Sequence, residues 1–334
     1  MSIKIIAEAG VNHNGDLGLA LKLVEEAKKA GADYVKFQRF KAEDVATLNA
    51  EKAVYQNLNT GVVESQKDML SKLELSNSCF ESIHKKCKEV GIGFLASGFC
   101  PDDFRFLKRF EMDYLKIPSG EICNLPLLKE LSYQSSLSGI ILSTGMSGLS
   151  DVENAISILI NNKVARDQIT LLHCTTEYPA PFESVNLSAM NTLKEAFHCN
   201  VGYSDHTEGI HVGIAAAALG ATILEKHFTL DKSMPGPDHK ASLDPDEFKL
   251  MVNNIHEIVQ SLGDGIKRIS SSEKANILIA RKSLVALKPI KAGEVFTEEN
   301  LGCKRPGSGI SPMRYYDYIG KKSQTDYKKD DLII

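Results

Sequence analysis

From residue 3 onward, short runs rich in Ile, Val, Leu and Phe alternate with longer stretches whose apolar positions recur at helical spacing. The apolar runs fall at 3–10, 32–38, 93–99, 114–120, 139–145, 169–174, 201–206 and 221–228, and each predicts a strand. Several are continuous rather than alternating, which suits parallel strands covered on both faces. Between them the period changes. Leu17, Leu21, Val24 and Ala27 share one helix face while Glu25 and Lys29 pair at i,i+4 on another. The last such helix opens on Asp244-Pro245, has Glu247 three residues after the cap, and carries Phe248, Val252, Ile255 and Val259 along its apolar side. Eight strand-helix units in about 260 residues is the size of a (β/α)8 barrel, a TIM barrel. An open doubly wound sheet is the rival, but AGVNHNGD after the first strand has the wrong spacing for a dinucleotide fingerprint.

Two stretches break the alternation. Residues 41–66, between the second strand and its helix, form a long insertion that at this position would make a lid or substrate loop at the catalytic mouth. Beyond a polar segment with Gly and Ser at 262–276, short β-like runs are broken by Gly293, Pro306, Gly307 and Gly309. The pattern predicts a barrel over 1–265, a linker over 266–280 and a small β module over 281–334, the last too small to be very stable without docking.

Composition narrows the partners. A formal charge of −4 over 334 residues argues against nucleic acid, so any anion site must be local. The N-terminal MSIKIIAEAG is too short an apolar run for a signal peptide, and no run of roughly 18 apolar residues follows, which predicts a cytoplasmic protein without a membrane span. The seven cysteines are odd in number, scattered and free of C-x-x-C spacing, and read as reduced thiols, mostly buried.

In such a barrel the polar residues at strand C-termini form one ring. Here it holds Glu8, Asn12, His13, Lys36, Gln38, Ser97, Lys116, Ser119, Glu121, Ser143, Thr144, His173, Thr175, Tyr178, Ser204 to His206, and Glu225 to His227. Lys36 and Lys116 stand in apolar surroundings where a lone ammonium is costly. Either an anionic ligand compensates them, helped by the hydroxyls of Ser97, Ser119 and Ser204, or each pairs with a structural glutamate, Glu8 or Glu121. His206 and His227, at the seventh and eighth strand tips, are either core residues or two ligands for Mn²⁺, Fe²⁺ or Zn²⁺ with open positions for water and substrate. His173 reads as structural; His84, His198 and His256 read as solvated. The GPDHKAS loop brings Asp238 and His239 within reach of the mouth, or is a surface turn. In the small module, Arg305 sits in KRPGSG as an exposed bidentate donor or a plain surface charge.

The motifs IAEAGVNHNGD (6–16), VKFQ (35–38), YLKIPSGE (114–121), ILSTGM (141–146), LLHCTTEYP (171–179), GYSDHT (202–207), LEKHFT (224–229), GPD (236–238) and KRPGSG (304–309) together resemble the sialic-acid synthase family along essentially the whole chain. The resemblance implies a barrel joined to a C-terminal antifreeze-like (SAF) domain that caps a partner's barrel in a domain-swapped homodimer, with Arg305 reaching the substrate's acyl group. It implies condensation of phosphoenolpyruvate with an acylamino mannose-type sugar. Carried over motif by motif, Lys36, Ser97, Lys116, Ser119 and Ser204 would hold phosphoenolpyruvate, and His206 and His227 a divalent metal, usually Mn²⁺. Glu8, Gln38, Tyr178 and Asp238 would address the sugar and the reacting centres.

The chain departs from the family at Thr176, where asparagine is frequent, and at Ser97-Gly98, where a threonine-proline pair is frequent. Thr176-Glu177 and the DHKAS ending resemble the subgroup that makes legionaminic acid from a diacetamido-trideoxy sugar. Two rivals remain: a Schiff-base aldolase using Lys116, and a non-catalytic carbohydrate-binding protein in which the barrel is scaffold.

Overall fold

The computed structural model describes residues 3–131 and 137–334. Its contacts cluster into two units, Met1–Gly263 and Asp264–Ile334. In the first, eight parallel strands close a barrel in sequence order. They are β1 (Lys4–Gly10), β2 (Tyr34–Arg39), β3 (Gly93–Gly98), β4 (Tyr114–Ile117), β5 (Gly139–Ser143), β6 (Ile169–His173), β7 (Asn200–Asp205) and β8 (Ile223–His227). Closure comes from β1 pairing with β8, in register from Lys4↔Ile223 to Glu8↔His227. The fold is therefore the (β/α)8 barrel that the apolar periodicity predicts.

The helices are α1 (Leu17–Lys29), α2 (Ala42–Val45), α3 (Val54–Thr60), α4 (Gln66–Ser71), α5 (Asn77–Val90), α6 (Pro101–Leu107), α7 (Leu125–Glu130), α8 (Leu149–Asn161), α9 (Ala189–Phe197), α10 (His211–Ala218) and α11 (Pro245–Leu262). Their starts follow local chemistry. Asp244 Oδ1 accepts from Glu247 N at 2.9 Å while Glu247 Oε2 accepts from Asp244 N at 3.1 Å, closing the capping box that opens α11. Apolar faces such as Leu23, Val24 and Ala27 on α1 and Phe248, Val252 and Ile255 on α11 pack onto the outer barrel surface. Gly202 lets β7 approach β8, since a Cβ there would lie 2.2 Å from Ile223 O.

Register sets the catalytic layer. Glu8 lies beside Lys36, Gln38 beside Ser97, Ser97 beside Lys116, and Ser204 beside Glu225, so residues spread along the chain become neighbours on adjacent strands. Because strand side chains alternate, every second residue of these segments faces the interior.

The insertion between β2 and α5 folds as three short helices, α2 to α4. Lys52, buried, donates to Thr60 Oγ1 at 2.9 Å and Val62 O at 2.5 Å, tying the two sides of α3 together. Met69 and Leu73 pack with Val11 and Phe40 at the mouth.

In the second unit, α12 (Lys274–Ala280) gives helical structure to the end of the stretch expected to be a linker. β9 (Ser283–Ala286) and β10 (Leu301–Lys304) pair antiparallel around a small core of Leu284, Ile290, Phe296, Leu301, Tyr327 and Ile333. All seven cysteines are free; Cys87, Cys174 and Cys199 are buried and Cys123 is exposed. Among the described residues no helix is long and apolar enough to cross a membrane.

Candidate active site

The carboxyl ends of the strands surround a cavity of about 270 Å³. Glu8, Lys36, Gln38, Ser97, Lys116, Ser119, Tyr178, Ser204, His206, His227 and Asp238 all line it, whereas Asn12, His13, Glu121, Thr144, His173, Thr175, Asp205, Lys226 and His239 do not. Arg305 belongs to the second unit, where its Nε donates to Ala280 O at 3.0 Å.

At the floor, the lysines are held by carboxylates and hydroxyls at once. Lys36 Nζ lies 2.7 Å from Glu8 Oε2 and 3.7 Å from Glu225 Oε2, and donates to Ser97 Oγ at 3.1 Å. Lys116 Nζ donates to Ser143 Oγ at 2.8 Å and to Glu225 Oε1 at 3.2 Å. The same Glu225 oxygen accepts from Ser204 Oγ at 3.0 Å. The expectation that Glu8 or Glu121 would pair with the lysines holds for Lys36 and Glu8. It fails for Lys116, whose carboxylate is Glu225; Glu121 instead accepts from Asn124 Nδ2 at 2.6 Å. Glu225 is thus the residue to which the sequence assigned no role. Its signal was its place two residues before His227, on the same strand face.

Burial and mutual charge divide this cluster. Burial and repulsion by Glu225 push the Glu8 carboxyl above its usual range, against the pull of Lys36. Burial would raise Glu225 as well, but Lys116 and Lys36 outweigh it and hold it at about 2. Burial and the neighbouring Lys36 lower Lys116 against the pull of Glu225, whereas Lys36, facing both carboxylates, is raised despite its burial. Two lysines and two carboxylates thus form one buried network at the floor. Gly145 adds close access: a Cβ there would stand 2.2 Å from Thr176 Oγ1 and 2.8 Å from Ser119 Oγ. The Thr176 hydroxyl itself is buried without a hydrogen-bond partner.

Next to this network, with Ser204 Oγ 3.3 Å from His206 Nε2, the rings of His206 and His227 lie 5.5 Å apart, and Tyr178 packs 4.2 Å from the first and 5.3 Å from the second. His206 Nδ1 lies 2.6 Å from Thr175 O, which can only accept, so Nδ1 carries the proton and Nε2 keeps its lone pair. His227 Nδ1 is buried without a hydrogen-bond partner, 3.9 Å from Asp238 Oδ2. Burial holds His206 neutral, down to about 4, and drives His227 well below the usual imidazole range. Two neutral imidazoles, one with its tautomer set by a backbone carbonyl, fit a borderline divalent cation. Among the described residues no group of three or more His, Cys, Asp or Glu has metal-holding geometry.

Asp238 is raised to about 7 by burial and by the negative charge of Glu8. Its loop is firmly anchored. His239 Nδ1 lies 2.7 Å from Thr229 Oγ1 and its Nε2 is 3.3 Å from Asn14 Oδ1, which makes His239 a brace for the loop rather than a cavity residue. Asn12 Nδ2 donates at 2.9 Å to both Phe228 O and Ser242 Oγ, and Ser242 Oγ donates to Asp238 O at 2.7 Å. His173 Nε2 lies 2.7 Å from Val185 O, the structural role expected of it. His84 departs from expectation: it packs between Phe94 and Phe110 at ring distances of 5.4 and 5.1 Å instead of standing in solvent.

The insertion supplies residues that periodicity could not identify. Tyr55 and Gln56 line the cavity, the Tyr55 ring lies 5.0 Å from Tyr178, and Asn59 Nδ2 donates to Pro237 O at 2.6 Å.

A (β/α)8 barrel whose mouth gathers two lysines, several serines and two histidines has the make-up of an enzyme's active site. The chain belongs to the NeuB family, whose model matches residues 23–267, and a SAF domain is matched over residues 281–333. It is 54% identical to the N,N'-diacetyllegionaminic acid synthase of Campylobacter jejuni over 98% of each chain. It is 43% identical to the enzyme of that name from Legionella pneumophila, covering 96% of this chain and 90% of that one. The solved N-acetylneuraminic acid synthetase of Leptospira borgpetersenii is 34% identical, with a TM-score of 0.71, over 83% of this chain and 90% of that one.

Proposed function

We propose that this enzyme condenses phosphoenolpyruvate with a diacetamido-trideoxy sugar of the mannose type, giving N,N'-diacetyllegionaminic acid and phosphate. The observation that carries the reading is the single cavity that brings two lysines and the serines Ser97, Ser119 and Ser204 together with two buried imidazoles; the identity to the two legionaminic acid synthases supports the choice of sugar. Phosphoenolpyruvate brings about three negative charges, which Lys36 and Lys116 offset while Ser97, Ser119 and Ser204 donate to its oxygens. The unpartnered Thr176 hydroxyl beside Gly145 is a further donor for the phosphate.

In this reading His206 and His227 hold a divalent cation, Mn²⁺ by preference, which supplies Lewis-acid polarisation of the acceptor's aldehyde. The enol C3 of phosphoenolpyruvate attacks that carbon, water adds at C2, and phosphate leaves with cleavage of the C–O bond. Glu8, drawn toward its protonated form and hydrogen-bonded by Gln38 at 3.2 Å, handles the proton exchanged with the acceptor oxygen. Tyr178, Gln38 and Asp238 orient the sugar. A Schiff-base role for Lys116 has less support, since its ammonium is engaged by Glu225 and Ser143.

For assembly, we infer a catalytic barrel over 1–265, a linker over 266–280 and a SAF domain over 281–334. The subunits form a domain-swapped homodimer in which Arg305 of one reaches the acceptor's acyl group in the other. A cytoplasmic location suits seven free cysteines. The deciding experiment measures phosphate release from phosphoenolpyruvate with Mn²⁺ and a panel of acylated mannosamine-type sugars, with and without EDTA. The diacetamido-trideoxy sugar is expected to be used fastest and EDTA to stop release. Preference for N-acetylmannosamine would shift the product to N-acetylneuraminate, and full activity in EDTA would remove the metal from the mechanism.

A further inference from the structure

The ladder between β7 and β8 runs Tyr203↔Leu224, Ser204↔Glu225, Asp205↔Lys226 and stops there. His206 lies beyond the end of β7, and His227 is in register with Glu8 of β1 rather than with β7. The β7–β8 ladder therefore ends short of both imidazoles, and the main chain of each is held from elsewhere, His206 O by Ala180 N at 2.8 Å and His227 O by Leu243 N at 2.9 Å. The last rung carries something else. Asp205 and Lys226 alternate with the cavity residues, so they lie on the opposite face of the strands, and both side chains are fully buried. Lys226 Nζ donates to Asp205 Oδ2 at 2.9 Å and to Thr207 O at 2.5 Å. Asp205 Oδ1 accepts from Thr207 N at 2.9 Å and from Thr207 Oγ1 at 2.8 Å. The residues on either side of His206 are thus both tied to the residue preceding His227. An apolar pair of the same volume would often hold the strands as well, so stability alone gives no reason for two charges here.

We propose that the Asp205–Lys226 pair, closed through Thr207, positions His206 against His227 and so sets the affinity of the site for its divalent cation. The inference rests on the metal reading of the two histidines. Asp205 and Lys226 are positioning residues, since neither side chain lines the cavity.

The test is a Mn²⁺ titration followed by electron paramagnetic resonance on metal-stripped full-length protein, with phosphoenolpyruvate binding measured separately in EDTA. Asp205→Asn and Lys226→Met are each expected to weaken Mn²⁺ binding by about tenfold or more while phosphoenolpyruvate affinity stays within about twofold. A double variant, Asp205→Leu with Lys226→Met, leaves no buried charge unpaired and covers the case in which the single variants do not fold; weak Mn²⁺ binding is expected there too. Parental Mn²⁺ affinity in a folded single variant or in the double variant overturns the clamp and leaves the metal reading standing. Absence of Mn²⁺ binding in the parent overturns both.

Discussion

Removing the Glu225 carboxylate leaves Lys116 with the Ser143 hydroxyl as its remaining partner and Lys36 with Glu8 and Ser97. Breaking a buried ion pair costs about 3–5 kcal/mol because the surviving charge is stranded. Glu225→Gln should therefore lower the melting temperature of the free enzyme. Since an anionic ligand can take the place of the lost carboxylate, phosphoenolpyruvate should raise the variant's melting temperature more than the parent's. Equal shifts in a thermal melt would count against the floor as an anion site. A second residue-scale effect concerns pH. Burial holds His13 and His239 at about 4, below the ordinary imidazole value of 6.5, so both stay neutral in the fold while the unfolded chain takes up protons. Their contribution is fully present above about 6.5 and is lost as pH falls toward 4, worth roughly 3 kcal/mol for His13 alone. Asn at position 13 can still accept from Gly15 N, the bond that His13 Nδ1 makes at 3.0 Å. His13→Asn should make the urea midpoint fall less steeply between about pH 7 and pH 5; an unchanged slope would exclude His13 as a source.

At the scale of elements, α3 stands over the cavity with few tethers to the barrel. The Asn59 bond to Pro237 O and the packing of Tyr55 against Tyr178 join it to the loops that carry Asp238 and Tyr178. Both contacts are on the side assigned to the sugar. Asn59→Ala and Tyr55→Ala should each raise the acceptor KM by about tenfold, as misplacement of positioning groups does, with a much smaller change for phosphoenolpyruvate. Steady-state kinetics with each substrate varied in turn separates the two; equal losses would mean that α3 stabilises the fold rather than the acceptor.

For the whole molecule, the prediction concerns how the two units cooperate. If Arg305 reaches the acceptor's acyl group across a homodimer, Arg305→Ala should lower kcat/KM for the sugar by about a hundredfold, as loss of a charged hydrogen bond does, and leave phosphoenolpyruvate binding unchanged. Mixing Arg305→Ala with a barrel variant such as Lys116→Met should restore activity through dimers in which one barrel is intact and is served by an intact arginine. Absence of any restoration on subunit exchange would assign Arg305 to its own subunit.

Strand positions, the capping box at Asp244 and the start of the insertion were legible in the sequence, because run length, helical spacing and cap chemistry are properties of neighbouring residues; its end was set at 66, where α4 (Gln66–Ser71) only begins. Ring membership was legible in part, since a strand's carboxyl end can be read once the barrel is assumed, but Asp205 and Lys226 lie on the opposite face of their strands. What joins across the interior was not. Glu8 and Glu121 were the structural partners the sequence offered for the two lysines, but the carboxylate of Lys116 is Glu225, 109 positions on. Inward side chains of β4 and β8 meet only after the barrel closes. The same holds for Tyr55 against Tyr178, for the brace made by His239 and for the Asp205–Lys226 pair. The sequence alone determined which strand ends meet at the mouth; closure and register decided which of their side chains face the cavity and touch, because contact across a barrel depends on how the strands are ordered around it and not on their separation along the chain.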